Sequence, residues 1–265
     1  MESIPMPLQE RPVGVFDSGL GGLSVLREIR AQLPGEHVVY FGDTAHAPYG
    51  TKPPEEVMAR VRQVMAELAR HGAKAVVIAC NTATSVAAAT LRAESSLPII
   101  GMEPALKPAA ELRHGGQVLV MATPLTLRLP KFAALMARYG AGAIPLPCPG
   151  LMELVEQGEL DTPAVEDYLT HLLAPYQSAP LDAVVLGCTH YVFLRPVLRR
   201  LLPPSVALLD GNAGAVRQLR RVLDAHGLRR PTETGGQVQL LTSGDPATVL
   251  PQMEALLRLP PTSEG

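Results

Sequence analysis

The sequence predicts an α/β protein made of two pseudo-symmetric, doubly wound halves, each built on a parallel sheet. Three observations carry that expectation. Short apolar, β-branched runs alternate with stretches of helical periodicity along the whole chain. The shortest runs are continuously apolar, as in parallel strands covered by helices on both faces. Finally, Ala73-Lys-Ala-Val-Val-Ile-Ala-Cys80-Asn-Thr matches Leu181-Asp-Ala-Val-Val-Leu-Gly-Cys188-Thr-His, so one strand-to-loop unit occurs twice.

Val13–Phe16 reads as the first strand, followed by a glycine-rich turn and a helix with Leu26, Ile29 and Leu33 at helical spacing. His37–Gly42 is the next strand. The stripe Val57, Val61, Val64, Met65 and Leu68 defines a helix that stops near His71-Gly72, and Ala75–Ala79 is a third strand. In the second half, Gln117–Met121 reads as a strand, with helices around Lys131–Tyr139 and across Pro163–Tyr176. Ala183–Gly187 is a strand, a helix follows around Phe193–Leu202, and Val206–Leu209 adds one more strand. After Asn212, an amphipathic stretch with Val216, Leu219, Val222 and Leu223 leads to strand Val238–Leu241 and a last helix ending near Leu257. The tail Pro260–Gly265 is expected to fray. The 26 prolines fall in loops such as Lys52-Pro-Pro and Pro145–Pro149 rather than in one block, so no proline-rich linker is expected.

Composition narrows the function classes. Twenty-three Lys and Arg against 25 Asp and Glu leave a net charge of −2, too little for a field that draws nucleic acid or an anionic membrane. A hydrophobic content of 47% with 18% charged residues excludes a disordered chain. The start, MESIPMPLQERP, has no basic region followed by an apolar one, and no run approaches the roughly 18 apolar residues of a membrane span. A cytoplasmic protein without a membrane partner is the expectation. Three scattered cysteines make no disulfide framework and leave at least one thiol free.

Ligands of open α/β sheets sit beyond the carboxyl ends of the strands, and four motifs fall there. Asp17-Ser18-Gly19-Leu20-Gly21-Gly22 allows a tight turn and close backbone approach, but Ser24 stands where a dinucleotide fingerprint needs glycine. Asp43-Thr-Ala-His46-Ala-Pro48-Tyr49-Gly50 mixes a carboxylate, an imidazole and a turn, and loop punctuation accounts for it equally well. Cys80-Asn81-Thr82 and Cys188-Thr189-His190 each place a thiol between a strand and an expected helix start, where the positive end of the helix dipole lowers a thiol's pKa. Either thiol alone reads as a core residue; two in matching contexts read as acid/base groups. Cys148, flanked by prolines in Leu146-Pro-Cys-Pro149, is expected to be structural. No Cys-x-x-Cys or His-x-x-x-His spacing preorganises a zinc site from Cys80, Cys188, His190 and His46, so no metal is expected. The lysine in these loops, Lys52, lies beside Pro53 in a poor setting for a pyridoxal Schiff base, so no cofactor is expected.

Together these motifs resemble the glutamate racemase family, with Tyr40-Phe-Gly-Asp43, Gly101-Met-Glu103-Pro104-Ala-Leu-Lys-Pro-Ala and Gly187-Cys188-Thr189-His190-Tyr191 adding to the match in the family's order. The resemblance spans roughly residues 13 to 210. It implies a cofactor-independent racemase that interconverts L- and D-glutamate for peptidoglycan synthesis, with glutamate as its small-molecule partner and a homodimer as its assembly. It also implies that Cys80 and Cys188 are the acid/base pair. Asp17, Ser18, Tyr49, Gly50, Asn81, Thr82, Thr189 and His190 would line the substrate site, with Glu156, Thr123 and Thr126 in support. By the same resemblance, residues 11–103 and 213–260 form a first domain, 104–212 a second, and the active site is the cleft between them. The segment Ala122-Thr123-Pro124-Leu125-Thr126 keeps the family's two threonines in a changed setting, and Val192 stands where proline is usual. A noncatalytic amino-acid binding module on the same fold, or a racemase of aspartate or a related acid, is the alternative reading.

Overall fold

The computed structural model describes residues 6–259. The start of the chain and the tail Pro260–Gly265, including its expected fraying and the end of the first domain at residue 260, lie outside the described residues.

The first sheet is built from β1 (Val13–Asp17), β2 (Val38–Gly42), β3 (Ala75–Ile78) and β4 (Ile99–Gly101), with helices α1 (Leu23–Gln32), α2 (Pro54–Arg70) and α3 (Asn81–Glu94) between them. A second series follows: α4 (Leu106–Glu111), β5 (Gln117–Ala122), α5 (Pro124–Arg128), α6 (Pro130–Tyr139), β6 (Ala143–Pro147), α7 (Leu151–Glu156), α8 (Pro163–Leu173) and β7 (Leu181–Leu186). It closes with α9 (Arg195–Leu201) and β8 (Ala207–Asp210); then α10 (Asn212–Ala225), β9 (Val238–Thr242) and α11 (Pro246–Arg258) complete the chain. The strands order as β4-β3-β1-β2-β9 in one sheet and β6-β5-β7-β8 in the other, and every pairing is parallel. Strand β9, from the end of the chain, therefore returns to the edge of the first sheet.

Both faces of each sheet are apolar, which is why the strands read as unbroken hydrophobic runs. Val13, Val15, Ala75 and Val77 face one core with Leu26 and Ile29 of α1, whereas Phe16, Val76 and Ile78 face another with Val57, Val61 and Leu68 of α2. The second sheet divides likewise, Leu119, Met121 and Val184 on one side and Val118, Val120 and Val185 on the other. One of these cores contains residues of both sheets, so the two halves pack as a continuous apolar body.

Several elements differ from the periodicity. Pro145 and Pro147 lie within β6 rather than in a loop. They sit two residues apart on an edge strand, so their missing N–H groups face away from the ladder, while the intervening positions pair with β5 and Cys148 N donates to Ala122 O at 3.0 Å. The stretch expected as one helix around Phe193–Leu202 is a 3₁₀ segment, Thr189–Leu194, before α9. The helix expected across Pro163–Tyr176 ends at Leu173, with Pro175 in a 3₁₀ turn beyond it. Strand β4 is three residues long, too short to show periodicity. Glycine at position 72 has φ +74°, the left-handed conformation expected where α2 stops.

Candidate active site

The carboxyl ends of β1, β2 and β3 in the first sheet and of β5 and β7 in the second, with Glu156 of α7, carry the predicted site residues, and side-chain contacts across the two sheets bring them together. After β1, the Asp17–Gly22 loop turns tightly. Asp17 is fully buried; its Oδ1 accepts from Gly19 N at 2.9 Å and its Oδ2 accepts from the Thr189 hydroxyl at 3.0 Å. Tyr40, buried in β2, donates its hydroxyl to Gly19 O at 2.7 Å and holds the same loop from beneath. Ser24 at the start of α1 donates to Thr189 O at 3.3 Å.

Cys80 caps α3: its sulfur accepts from Ala83 N at 3.4 Å and lies 3.5 Å from Ser18 Oγ. The expected lowering of its pKa does not occur. Burial, reinforced by the nearby charge of Asp17, outweighs the hydrogen bonds from Ala83 and Ser18 and pushes the thiol up to about 12. The helix dipole is too small a term to compensate for removing a thiolate from water. Cys188 differs from expectation in another way, since the segment after it is 3₁₀ and no α-helix begins there to supply a dipole.

What Cys188 has instead is an imidazole. Its Sγ lies 3.6 Å from His190 Nδ1, and His190 Nε2 lies 2.6 Å from Glu156 Oε1, which also accepts from Leu20 N at 2.5 Å. Burial opposes a charge on His190, but its bonds to Cys188 and Glu156 prevail and hold its pKa well above the ordinary value. Gly21 N also approaches Nε2, at 3.1 Å. With the proton on Nε2, that nitrogen has no lone pair for the amide, so the Glu156 bond is the one retained. Asp17, opposite, is raised by burial despite the charge of His190 and the Gly19 hydrogen bond.

The hydroxyls of Thr82, Thr123 and Thr126 form a closed ring at 2.9 to 3.0 Å, joining α3 of the first sheet to α5 of the second. Pro124 does not disturb it, because proline is tolerated in the first turn of a helix and Thr123 caps α5 through Thr126 N. The Tyr49–Thr51 turn packs on the same ring: a Cβ at Gly50 would lie 2.7 Å from Thr123 Cβ. Asn81 is buried, and its Oδ1 has no hydrogen-bond partner among the described residues.

All the predicted site residues thus belong to one connected constellation, and apart from Glu156 they are buried. Cys148 lies outside it, its thiol donating to Leu146 O at 3.3 Å. Among the described residues no group of three His, Cys, Asp or Glu side chains is placed to hold a metal ion, and His46 hydrogen-bonds Asp43 at 2.9 Å. No helix among them is long and apolar enough to cross a membrane. Tyr40 and Arg60 are supporting residues that periodicity does not expose. The signal for Arg60 is that α2 presents an arginine beside its apolar stripe, opposite the buried Asp43.

The family model of Asp/Glu/hydantoin racemases matches residues 13–219. The chain belongs to that family, and since a racemase inverts a stereocentre without changing composition, it is an isomerase. It is 51% identical over 251 residues to the glutamate racemase of Bifidobacterium adolescentis, covering 93% of this chain and 97% of that one. Among solved structures, it is similar to Escherichia coli glutamate racemase in complex with L-glutamate and the activator UDP-MurNAc-ala, with a TM-score of 0.82, 33% identity, and 93% and 95% of the two chains covered. The Thermus thermophilus glutamate racemase, in complex with beta-chloro-D-alanine, gives a TM-score of 0.77 at 38% identity, with 94% and 93% covered.

Proposed function

We propose that this protein racemises glutamate without a cofactor, using Cys80 and Cys188 as two bases on opposite faces of the α-carbon. The observation that carries the reading is the pair of thiols at equivalent strand ends of the two sheets. The names of the relatives support glutamate as the substrate.

Inverting the α-carbon requires one thiolate to take a proton and one thiol to give one, so their titrations are linked. The two surroundings differ. Cys80, buried and beside Asp17, favours the neutral thiol. Cys188 faces the His190 imidazole, which keeps a proton with the help of Glu156. By the family resemblance, Cys188 removes the proton of L-glutamate and Cys80 protonates the opposite face, giving D-glutamate. The sulfurs then exchange roles for the reverse reaction. Negative charge spreading onto the α-carboxylate needs donors, and the hydroxyls of Ser18, Thr82 and Thr189 supply them by turning to the substrate from Cys80, the threonine ring and Asp17. The orphaned Asn81 Oδ1 suits the substrate's ammonium group.

The sheet membership of β9 supports a first domain of residues 11–103 and 213–260 around a second of 104–212. A cytoplasmic homodimer supplying D-glutamate to peptidoglycan synthesis is the setting the resemblance implies.

Purified protein is expected to interconvert L- and D-glutamate, to be colourless above the protein absorption band, and to keep its activity after dialysis against a chelator. Activity lost to the chelator and restored by zinc would overturn the cofactor-free mechanism. Aspartate lacks one methylene and leaves donors unpaired, so its kcat/KM should be at least about 10-fold lower. Equal values for the two acids, assayed side by side, would refute glutamate preference, and binding without turnover would favour the noncatalytic module.

A further inference from the structure

We propose that Arg60 is a positioning residue for glutamate binding, acting through Asp43 to hold the Tyr49–Gly50 turn against the threonine ring of the second sheet. The inference rests on the racemase reading.

Asp43 follows β2 and is completely buried, yet it has a dense set of donors. Arg60 of α2 grips it with a two-point fork, Nε to Oδ2 at 3.0 Å and Nη2 to Oδ1 at 2.8 Å. Its Oδ2 also accepts the Tyr49 hydroxyl at 2.6 Å, and Oδ1 lies 2.9 Å from His46 Nδ1. The end of β9 adds a second brace, with Ala45 N donating to Ser243 Oγ at 3.2 Å and Thr44 Oγ1 lying 2.7 Å from Thr242 Oγ1. Burial alone would neutralise Asp43, but the hydrogen bonds from Arg60, Tyr49 and Ser243 keep it ionised.

The ionised state matters because it fixes direction. A carboxylate only accepts, so Tyr49 must donate its hydroxyl to Asp43 and is held in one orientation. Tyr49 is fully buried and its neighbour Gly50 abuts Thr123, so a shift of the tyrosine is transmitted to the Thr82–Thr123–Thr126 ring. Among the candidate substrate contacts Arg60 meets Tyr49 alone, and it reaches the rest through Asp43 and the Tyr49–Gly50 turn. Removing it leaves a buried carboxylate whose remaining donors are weaker than a bidentate guanidinium. The turn then loosens where substrate is held in both ground and transition states, which raises KM more than it lowers kcat.

The test compares kcat and KM for both enantiomers of glutamate in wild type, Arg60→Lys and Arg60→Ala, with melting temperatures in parallel. Arg60→Ala is expected to raise KM about 10- to 100-fold while kcat falls less than about threefold. Arg60→Lys keeps the charge without the fork and should fall between. The Arg60 side chain is 19% exposed, so a small cation can reach its place. Millimolar ethylguanidinium should lower the KM of Arg60→Ala, and ethylammonium should not. A wild-type KM in folded Arg60→Ala overturns the proposal, as does a raised KM indifferent to ethylguanidinium. If Arg60→Ala does not fold, Arg60→Lys decides: a raised KM at unchanged kcat and melting temperature supports the fork, and a wild-type KM overturns it. Wild-type protein without glutamate racemisation would instead overturn the racemase reading itself.

Discussion

Replacing Cys80 or Cys188 by serine is expected to cost about 10²- to 10⁴-fold in the rate of racemisation in both directions, the range a positioned acid/base group contributes. Each cycle needs one sulfur to accept a proton and the other to donate one, and a hydroxyl's far higher pKa makes it a poor substitute in either role. The loss should be equal from the L and the D side, because a catalyst that slows one direction slows the other by the same factor at fixed equilibrium. Circular dichroism of the variants should match the wild type, since neither residue is cross-linked. A folded serine variant racemising at near the wild-type rate would remove that cysteine from the mechanism. Cys148→Ser is the control: its thiol donates to Leu146 O and its other neighbours, Ala122 and Tyr191, are not among the predicted site residues, so activity should be nearly unchanged.

Isotope incorporation tests the same division without a mutation. In D₂O, L-glutamate should yield D-glutamate carrying deuterium at the α-carbon, because the delivering thiol has exchanged with solvent before it donates. Early in the reaction, unreacted L-glutamate should remain largely protiated, since return from the same face requires exchange on the first sulfur. Deuterium entering L-glutamate as fast as D-glutamate appears would point to a single base.

The fold was legible because each buried strand and amphipathic helix has its own period, and the cysteines stood out because the same strand-end context occurs twice. What was not legible is pairwise. Asp17 meets Thr189 172 residues away, and His190 meets Glu156 34 residues away; hydrophobic periodicity reports which face of an element is buried, not what covers it. The prolines of β6 read as a loop because the feature that admits them, an edge position, is a property of the sheet. The thiol environments were misjudged for a related reason. A strand-to-helix context suggests a dipole, but the sequence does not show that Cys80 is sealed from water, and burial dominates there. Arg60 was passed over since a single arginine on an amphipathic helix is ordinarily a solvated residue.

Gly21→Ala is expected to lower kcat/KM by about 10²-fold or more, although alanine is the smallest possible addition. The glycine does not have a left-handed backbone, so the constraint is space rather than conformation. A methyl group there would run into His190 Nδ1, the nitrogen that faces the Cys188 sulfur, and would sit 2.5 Å from both His190 Cε1 and Thr189 Oγ1. Both obstacles are fully enclosed, so neither can swing into solvent. Relief must come from moving the Asp17–Gly22 loop away from the Cys188–His190 segment. That movement lengthens the Thr189–Asp17 and Leu20–Glu156 bonds and pulls the imidazole away from the sulfur it serves. Because these contacts join the two sheets, the loss should appear chiefly in kcat and in the pH profile of the Cys188 half-reaction. The fold should survive, because Leu20 is the one residue of the loop that belongs to the apolar cores of the two sheets. The measurement is steady-state kinetics of Gly21→Ala in both directions beside thermal unfolding. A variant that unfolds near the wild-type temperature and keeps wild-type kcat/KM would show that the glycine is not needed for this close approach.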